Sequence, residues 1–251
     1  MRLNGRTILI TDGTSGIGLE LAAQLLARNN VVIVTGRDDK GINAAKSRHP
    51  ALHAYKSDVG DRDEIRRLHA DVTARFPQLD TLVNNAGIMR SLQLAEERSL
   101  EDVTREIDID LSGPIRMVQQ FLPHLQSRSD ALIVMVTSGI AFVPFSIAPV
   151  YSAAKAGLRA YTRCLRTQLA DSRVRVVELA PPGTETPLMK AEFPKMDGPK
   201  NMPVETLVRH AITGIEAGKS EILPGLSKVL GVAGRVAPDL VFKQMSKAAG
   251  S

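Results

Sequence analysis

Ser138, Tyr151 and Lys155 are residues whose types and spacing suit proton transfer to or from an oxygen. Tyr151 and Lys155 are four positions apart, so on a helix they would share one face, with the ammonium close to the phenol. An unperturbed phenol has a pKa of about 10, and a neighbouring ammonium lowers that pKa. A tyrosine and lysine four apart are common by chance, but Ser138 lies thirteen positions before the tyrosine at the end of an apolar run. The combination predicts a catalytic set with Tyr151 as general acid or base.

A glycine-rich turn follows the first apolar run and is typical of a phosphate cradle. Between a strand and a helix, backbone N–H groups and the helix dipole can bind a pyrophosphate, and a side chain there would block the approach. Gly16 and Gly18 meet that demand, although the spacing is not that of the G-x-G-x-x-G fingerprint. We predict that a dinucleotide binds at this turn, whose residues are Asp12, Gly13, Thr14, Ser15, Gly16, Ile17 and Gly18.

Short apolar runs alternate with stretches of helical spacing, which predicts a parallel sheet in an α/β fold. The runs are residues 7–10, 31–35, 79–83, 132–136 and 174–179. The first predicted helix begins at the glycine turn. Further helices are predicted over residues 61–75, 100–126 and 149–169. Residues 187–203 are predicted to form an irregular loop over a site. Residues 226–247 are predicted to form a helix that docks on its own domain, on a partner or on a membrane surface. No linker divides the chain, so residues 1–251 are predicted to form a single domain.

Composition excludes several other classes of protein. The net charge of +5 comes from scattered Lys and Arg, with no basic run interleaved with aromatics, so nucleic acid is not the expected partner. The uncharged residues 131–150 are interrupted by Pro144 and Pro149, which favours a buried strand over a transmembrane segment. Cys164 is expected to be a buried thiol, and the chain a cytoplasmic protein. His49 and His53 have no further ligand at metal-binding spacing, so no metal site is expected.

These motifs together resemble those of the short-chain dehydrogenase/reductase family, and the resemblance covers nearly the whole chain. The matching features are Gly16-Ile17-Gly18, Asp58-Val59, Asn84-Asn85-Ala86-Gly87, Ser138, Tyr151 with Lys155, and the segment from Pro181 to Thr186. Residues 113–116, 136–138 and 181–188 are most similar to the subgroup around bacterial DltE-like oxidoreductases. The resemblance implies a Rossmann-type doubly wound parallel sheet with helices on both faces, and a homodimer or homotetramer formed through residues 100–126 and 149–169.

The resemblance also implies a role for each matching residue. Asp58 would hydrogen-bond the adenine amino group, Val59 would line the adenine, and Asn85, Ala86 and Gly87 would pass beneath the riboses. Ser138 would hydrogen-bond the substrate oxygen, while Lys155 would hold the nicotinamide ribose beside Tyr151. The remaining cofactor-binding residues implied by the family are Pro181, Thr184 and Thr186.

The end of the second apolar run decides between the two nicotinamide cofactors. An acidic residue there would accept hydrogen bonds from a ribose 2′-hydroxyl, whereas an arginine would pair with a 2′-phosphate. Gly36 occupies the acidic position and Arg37 follows it, so NADP(H) is predicted to be preferred. Asp38 and Asp39 come next and leave NAD(H) possible.

Three residues depart from the family pattern. Asp12 replaces the first glycine, where it would either repel a phosphate or accept from ribose hydroxyls. Asp110 replaces an asparagine that holds a water on the proton path, and its charge would offset the ammonium of Lys155. We therefore predict a catalytic role for Asp110 and an upward shift in the pH optimum of alcohol oxidation. Pro182 replaces a glycine and stiffens the loop facing the nicotinamide.

The expected function is an NADP(H)-preferring oxidoreductase that acts on a small or medium, mostly apolar carbonyl compound or alcohol. A non-catalytic dinucleotide-binding regulatory or scaffold protein is the alternative, favoured by Asp12 and Asp110. A sugar-nucleotide epimerase or dehydratase fits poorly, because those chains resemble a shorter glycine spacing and carry a larger C-terminal part. The predicted substrate-pocket residues are Met89, Ile140, Phe142, Phe145, Ala148, Leu188, Met189 and Phe193.

Overall fold

Seven parallel strands form one sheet in the computed structural model, which describes residues 2–193 and 201–248. The strand order is β3-β2-β1-β4-β5-β6-β7. The strands are β1 (Thr7–Ile10), β2 (Val31–Gly36), β3 (His53–Lys56), β4 (Thr81–Asn84), β5 (Ala131–Val136), β6 (Val174–Leu179) and β7 (Glu221–Ile222). The predicted doubly wound parallel sheet is confirmed.

Helices cover both faces of this sheet. They are α1 (Gly16–Leu26), α2 (Asp39–Arg48), α3 (Arg62–Arg75), α4 (Leu100–Ile107), α5 (Gly113–Gln126), α6 (Pro149–Gln168), α7 (Pro187–Glu192), α8 (Val204–Glu216), α9 (Leu226–Val236) and α10 (Pro238–Ala248). One buried apolar cluster joins α1 and α8 to the sheet, and a second joins α3, α5 and α6 to its other face. Central strands such as β5 are buried at every position, which explains their continuous apolar runs.

Three predicted segments differ in detail. The single helix predicted over residues 100–126 contains a π-helical turn, Asp108–Ser112, between α4 and α5. The predicted C-terminal helix is broken at Ala237, before Pro238, because proline has no N–H and ends the preceding helix. The predicted irregular loop begins with helix α7, while residues 194–200 lie outside the described residues.

The apolar runs of the sequence did not reveal β3 or β7. Strand β3 lies at the edge of the sheet and is only half-buried, so it lacks an apolar run. Strand β7 has only two residues, which is too short for any periodicity. Cys164 is exposed rather than buried, because it lies on an outward position of α6. Within residues 2–193 and 201–248, no helix is long and apolar enough to cross a membrane.

The carboxyl ends of the strands meet at one edge of the sheet, and the predicted site residues follow these ends. Strand β1 pairs with β2 on one side and with β4 on the other. Successive strands are therefore added toward one edge of the sheet up to β3 and toward the opposite edge from β4 onward. Ligands of open α/β sheets bind in the crevice outside such a reversal point.

Candidate active site

Helix α1 begins at the glycine-rich turn with backbone donors that no side chain caps. Ser15 is the N-cap residue and is extended, but it makes no side-chain capping hydrogen bond, and the first turn contains no acidic residue. Gly16 has φ of 52°, a left-handed conformation that favours glycine. The uncapped N–H groups and the helix dipole together suit a phosphate.

Asp12 adopts the conformation that a glycine would otherwise be expected to provide. Its φ is 51°, and aspartate tolerates this left-handed region better than most residues. Its backbone N–H donates to Oγ1 of Thr35 at 3.1 Å, which ties the turn to β2. The replacement is therefore accommodated by the backbone, and its consequence lies in the added charge.

Gly18 is required by close packing around this turn. A Cβ on Gly18 would lie 2.5 Å from the Asp12 carbonyl oxygen and 2.6 Å from Nδ2 of Asn85. Asn85 Nδ2 in turn donates to the carbonyl oxygens of Thr11 at 3.0 Å and Asp12 at 3.1 Å. The side chain of Asn85 thus fastens the turn, a role that the sequence analysis did not assign to it.

A cleft lies beside the turn, where β1, β2, β3 and β4 end, and it encloses about 300 Å³ including solvent at its mouth. Its lining contains the predicted residues Asp12, Gly36, Arg37, Asp58, Val59, Ala86 and Gly87. Burial raises the pKa of Asp12, as do Asp58 and Asp38, while Arg37 lowers it. The uncapped helix and the cleft fit a dinucleotide with its pyrophosphate at α1 and its adenosine beside Arg37.

Ser138, Tyr151 and Lys155 come together at the carboxyl end of β5. Ser138 is the second residue after the strand, and a hydrogen bond joins its side chain to that of Tyr151. Nζ of Lys155 lies 5.5 Å from the centroid of the Tyr151 ring and donates to the Val136 carbonyl oxygen at 3.2 Å. Both Tyr151 and Lys155 lie near the N-terminus of α6, the helix that was predicted over residues 149–169.

The pKa of Tyr151 is raised, which reverses the expectation that Lys155 would lower it overall. Burial is the largest cause, and Asp110 and Glu106 add to it. Lys155 and the hydrogen bond from Ser138 act in the opposite direction but do not prevail. In the protein without cofactor, Tyr151 therefore holds its proton at neutral pH.

Asp110 is fully buried and lies directly against Lys155, with Oδ1 3.1 Å from Nζ. Burial raises the pKa of Asp110 to about 6, despite Lys155 and a hydrogen bond from the Ile88 N–H. Burial lowers the pKa of Lys155, but Asp110 and Tyr151 raise it on balance. A Cβ on Gly87 would lie 2.5 Å from Oδ1 of Asp110, so only glycine leaves room for this carboxylate.

Glu106 is a second buried carboxylate, four residues before Asp110, and no motif of the sequence marked it as functional. Its Oε1 accepts from the Arg90 N–H at 2.9 Å, and Oδ2 of Asp110 accepts from the Ile88 N–H at 3.2 Å. The two carboxylates therefore hold alternate N–H groups of one segment, and buried Met89 lies between them. Their four-residue spacing was visible in the sequence, but the extended partner segment was not.

An apolar cluster adjoins Tyr151 and forms one wall of the candidate substrate pocket. Of the predicted pocket residues, it contains Met89, Phe145, Ala148, Ile140, Met189 and Phe193. Phe142 instead lies under the Arg159 guanidinium, 4.4 Å from the ring centroid, and Leu188 is exposed, so neither joins this wall. Ile147 and Met245 complete the cluster and were not predicted. Met245 belongs to α10, more than ninety positions after Tyr151, so no local motif could reveal it.

The segment from Pro181 to Thr186 lies between β6 and the glycine turn. The Pro181 carbonyl oxygen accepts a hydrogen bond, at 2.8 Å, from the N–H of Gly139, which is the residue after Ser138. Thr186 caps α7, and its Cγ2 lies 3.6 Å from the position that a Cβ on Gly16 would take. Thr184 is buried, and its hydroxyl donates to the Pro182 carbonyl oxygen at 2.8 Å. The segment thus adjoins both the cradle and the catalytic group.

This combination of sheet, uncapped glycine turn and Ser-Tyr-Lys group is typical of Rossmann-type oxidoreductases. The family model for short chain dehydrogenases matches residues 6–197 of the chain. The chain therefore belongs to the short-chain dehydrogenase family.

Individual relatives agree with this assignment. The chain is 37% identical over 250 residues to the uncharacterised oxidoreductase DltE of Bacillus subtilis (strain 168), covering 98% of each chain. A short chain dehydrogenase from Burkholderia cenocepacia, solved in complex with NADP, has a TM-score of 0.84 at 22% identity and covers 98% of this chain and 99% of its own. The 3-ketoacyl-(acyl-carrier-protein) reductase of Brucella melitensis, complexed with NADH, has a TM-score of 0.77 at 26% identity and covers 84% and 91%.

Proposed function

We propose that the protein is a carbonyl reductase that uses NADP(H) in preference to NAD(H) and Tyr151 as its proton donor. The observation that carries the proposal is the group formed by Ser138, Tyr151 and Lys155 beside a cleft suited to a dinucleotide. When bound, a reduced nicotinamide supplies the hydride that adds to the carbonyl carbon.

The protein's own residues would handle the oxygen and its proton. Ser138 would donate a hydrogen bond to the carbonyl oxygen, and Tyr151 would transfer its phenolic proton to the same atom. The ammonium of Lys155, 5.5 Å from the ring, would stabilise the tyrosinate that remains. Because the pKa of Tyr151 is raised, the acid form needed for reduction is fully populated at neutral pH. Without substrate, Tyr151 is thus already in the protonation state that reduction requires.

The substrate is proposed to be a small or medium apolar ketone or aldehyde. The wall beside Tyr151 is built from apolar side chains, including Met89, Phe145 and Ala148. Hydrophobic walls with a few convergent polar groups are typical of small-molecule sites. Ser138 and Tyr151 would be the polar pair that orients the carbonyl group.

The preference for NADP(H) rests on Arg37. It is exposed at the mouth of the cleft, directly after buried Gly36, which stands in place of the acidic residue that would accept from a ribose 2′-hydroxyl. Its guanidinium would pair with a 2′-phosphate there. The NADP complex of the Burkholderia neighbour is in keeping with this preference, whereas the NADH complex of the Brucella neighbour shows that the fold accepts either cofactor.

A titration of the cofactor-free protein with NADPH and NADH, followed by nicotinamide fluorescence, tests the proposal. A panel of ketones and aldehydes is then added to the tighter complex. The proposal expects tighter binding of NADPH and carbonyl-dependent loss of the reduced cofactor. Failure of both cofactors to bind at millimolar concentration would instead favour the non-catalytic alternative, with Asp12 disabling the cradle.

A further inference from the structure

The two C-terminal helices carry most of the exposed apolar side chains of the described residues. Among the described residues, ten large hydrophobic side chains are exposed, and six of these ten lie on α9 and α10. We call these six the C-terminal apolar surface: Leu226, Val229, Val232, Val236, Leu240 and Phe242. Concentrations of exposed apolar side chains on a soluble domain mark sites of interaction.

Helix α9 is apolar on both of its faces. Ser227, Leu230 and Gly231 are buried against the domain. Val229, Val232 and Val236 recur at helical spacing on the other side, and Val236 is 80% exposed. The side of α9 that faces away from the domain is therefore apolar along Val229, Val232 and Val236, and such an exposed apolar stripe is typical of a surface that another molecule covers.

The charges beside this surface are mostly positive. Lys228 and Arg235 on α9 and Lys243 and Lys247 on α10 are all exposed, against the single acidic residue Asp239. Apolar side chains rimmed by lysine and arginine are typical of helices that lie in the interface of an anionic membrane. A second copy of the chain seated on the same surface would oppose two positively charged rims, which disfavours it as the occupant.

The inner sides of these helices adjoin the candidate active site. Gly139 is the residue after Ser138, and a Cβ on Gly139 would lie 2.7 Å from Oγ of Ser227. Met245 on α10 packs against the cluster that contains Phe145 and Tyr151. The helices that carry the outer surface thus also contact residues of the candidate active site on their inner sides.

We propose that the C-terminal apolar surface docks the protein onto an anionic lipid surface. The helices would lie on the bilayer without crossing it, with Val229, Val232 and Val236 among the acyl chains and the basic side chains at the headgroups. A role in taking up apolar carbonyl compounds from the membrane rests on the proposed function, but the docking itself does not.

Co-sedimentation with vesicles tests this docking without cofactor or substrate, so its result is independent of the reductase activity. The full chain is mixed with phosphatidylcholine vesicles containing 30% phosphatidylglycerol, and with phosphatidylcholine alone, at low and high salt. The test variant is V229S/V232S/V236S. The matched control is L94S/L100S, which removes two hydrophobic residues that are 72% and 78% exposed elsewhere. V236D, at the most exposed position, replaces the triple variant if that one does not fold by circular dichroism.

The proposal expects binding to the anionic vesicles that falls at least fivefold in high salt and at least fivefold in the valine variant, with the control unchanged. Absence of binding to the anionic vesicles, or binding that the valine substitutions leave intact, would overturn it. Light scattering gives the molar mass of the parent, the valine variant and the control. An oligomeric mass in the parent and the control that falls in the valine variant would also overturn the proposal, because a second copy would then cover the surface.

Discussion

Asp110 introduces a negative charge at the position where it most directly affects the proton chemistry. Its carboxylate lies 3.1 Å from Nζ of Lys155 and raises the pKa of Tyr151, although burial is the larger cause. The lysine therefore stabilises two acidic groups, and its effect on the tyrosine is reduced. The residue type was evident in the sequence, but its direct contact with the lysine depends on the shape of the π-helical turn.

Asp110→Asn is expected to move the acidic limb of the pH profile of kcat/KM for alcohol oxidation to lower pH, by about one unit. The reactive form in oxidation is the tyrosinate, and removal of the carboxylate lowers the pKa of Tyr151. The pKa of Asp110 is about 6, so its charge is full above that pH and fades below it. The two profiles should therefore differ between that pH and the pKa of Tyr151, and converge above the latter, where both enzymes hold the tyrosinate.

Asp108→Asn is the matched control, because this side chain is 54% exposed and pairs with Arg116 at 3.5 Å on the surface. Its profile should coincide with that of the parent enzyme. An acidic limb that is unchanged in Asp110→Asn would show that Asp110 has no influence on the tyrosine.

Asp12→Gly is expected to tighten the binding of NADPH by about tenfold, because a carboxylate near the cofactor's phosphates repels them. Glycine adopts the φ of 51° found at this position, so the turn should keep its shape. Fluorescence titration of both reduced cofactors measures the effect, with exposed Asp63→Asn on α3 as the control. Weaker binding of NADH in the Asp12 variant would indicate that Asp12 accepts from ribose hydroxyls instead.

Among the helices and strands, close packing explains why the cradle keeps its shape. Helix α1 approaches the glycine turn so closely that Gly18 has no room for a side chain. The π-helical turn at residues 108–112 similarly brings Asp110 under Gly87. Single-turn π-helices are frequent at functional sites, yet their sequences look like those of ordinary helices.

Gly18→Ala is expected to lower the free energy of unfolding by about 1–3 kcal/mol, because the new Cβ would overlap the backbone of the turn. It should weaken NADPH binding as well. Gly41→Ala on α2 is the control, since its Cβ would meet only ordinary contacts at 3.4 Å or more and alanine favours a helix. Denaturant unfolding compares the two, and equal stability of Gly18→Ala and the parent would refute the packing argument.

In the molecule as a whole, residues from six strand ends and from the C-terminal helices meet at one edge of the sheet. The strand ends could be predicted because each carries a local motif, such as Ser138 after β5. Met245 and Glu106 could not, because their roles depend on which distant segments pack against them. Phe142 lies outside the apolar cluster for a similar reason, since distant Arg159 lies over its ring.

Met245→Ala is expected to raise KM for apolar ketones about threefold to tenfold while leaving kcat nearly unchanged, because it removes part of the pocket wall and no catalytic group. Steady-state kinetics with ketones of increasing chain length measure this effect. Exposed Gln244→Ala on the same helix should behave as the parent enzyme. A fall in kcat with KM unchanged would mean that α10 does not form a wall for the substrate.

The most direct measurement compares carbonyl-dependent oxidation of NADPH by the parent protein and by Tyr151→Phe, with NADPH affinity measured for both. The phenylalanine variant should bind NADPH as the parent does, since the hydroxyl acts on the substrate oxygen. Its turnover number should be lower than that of the parent by a factor of about one hundred or more. Equal turnover by the two proteins, or tight NADPH binding by the parent with no oxidation across the carbonyl panel, would contradict the assignment of Tyr151 as proton donor of a carbonyl reductase.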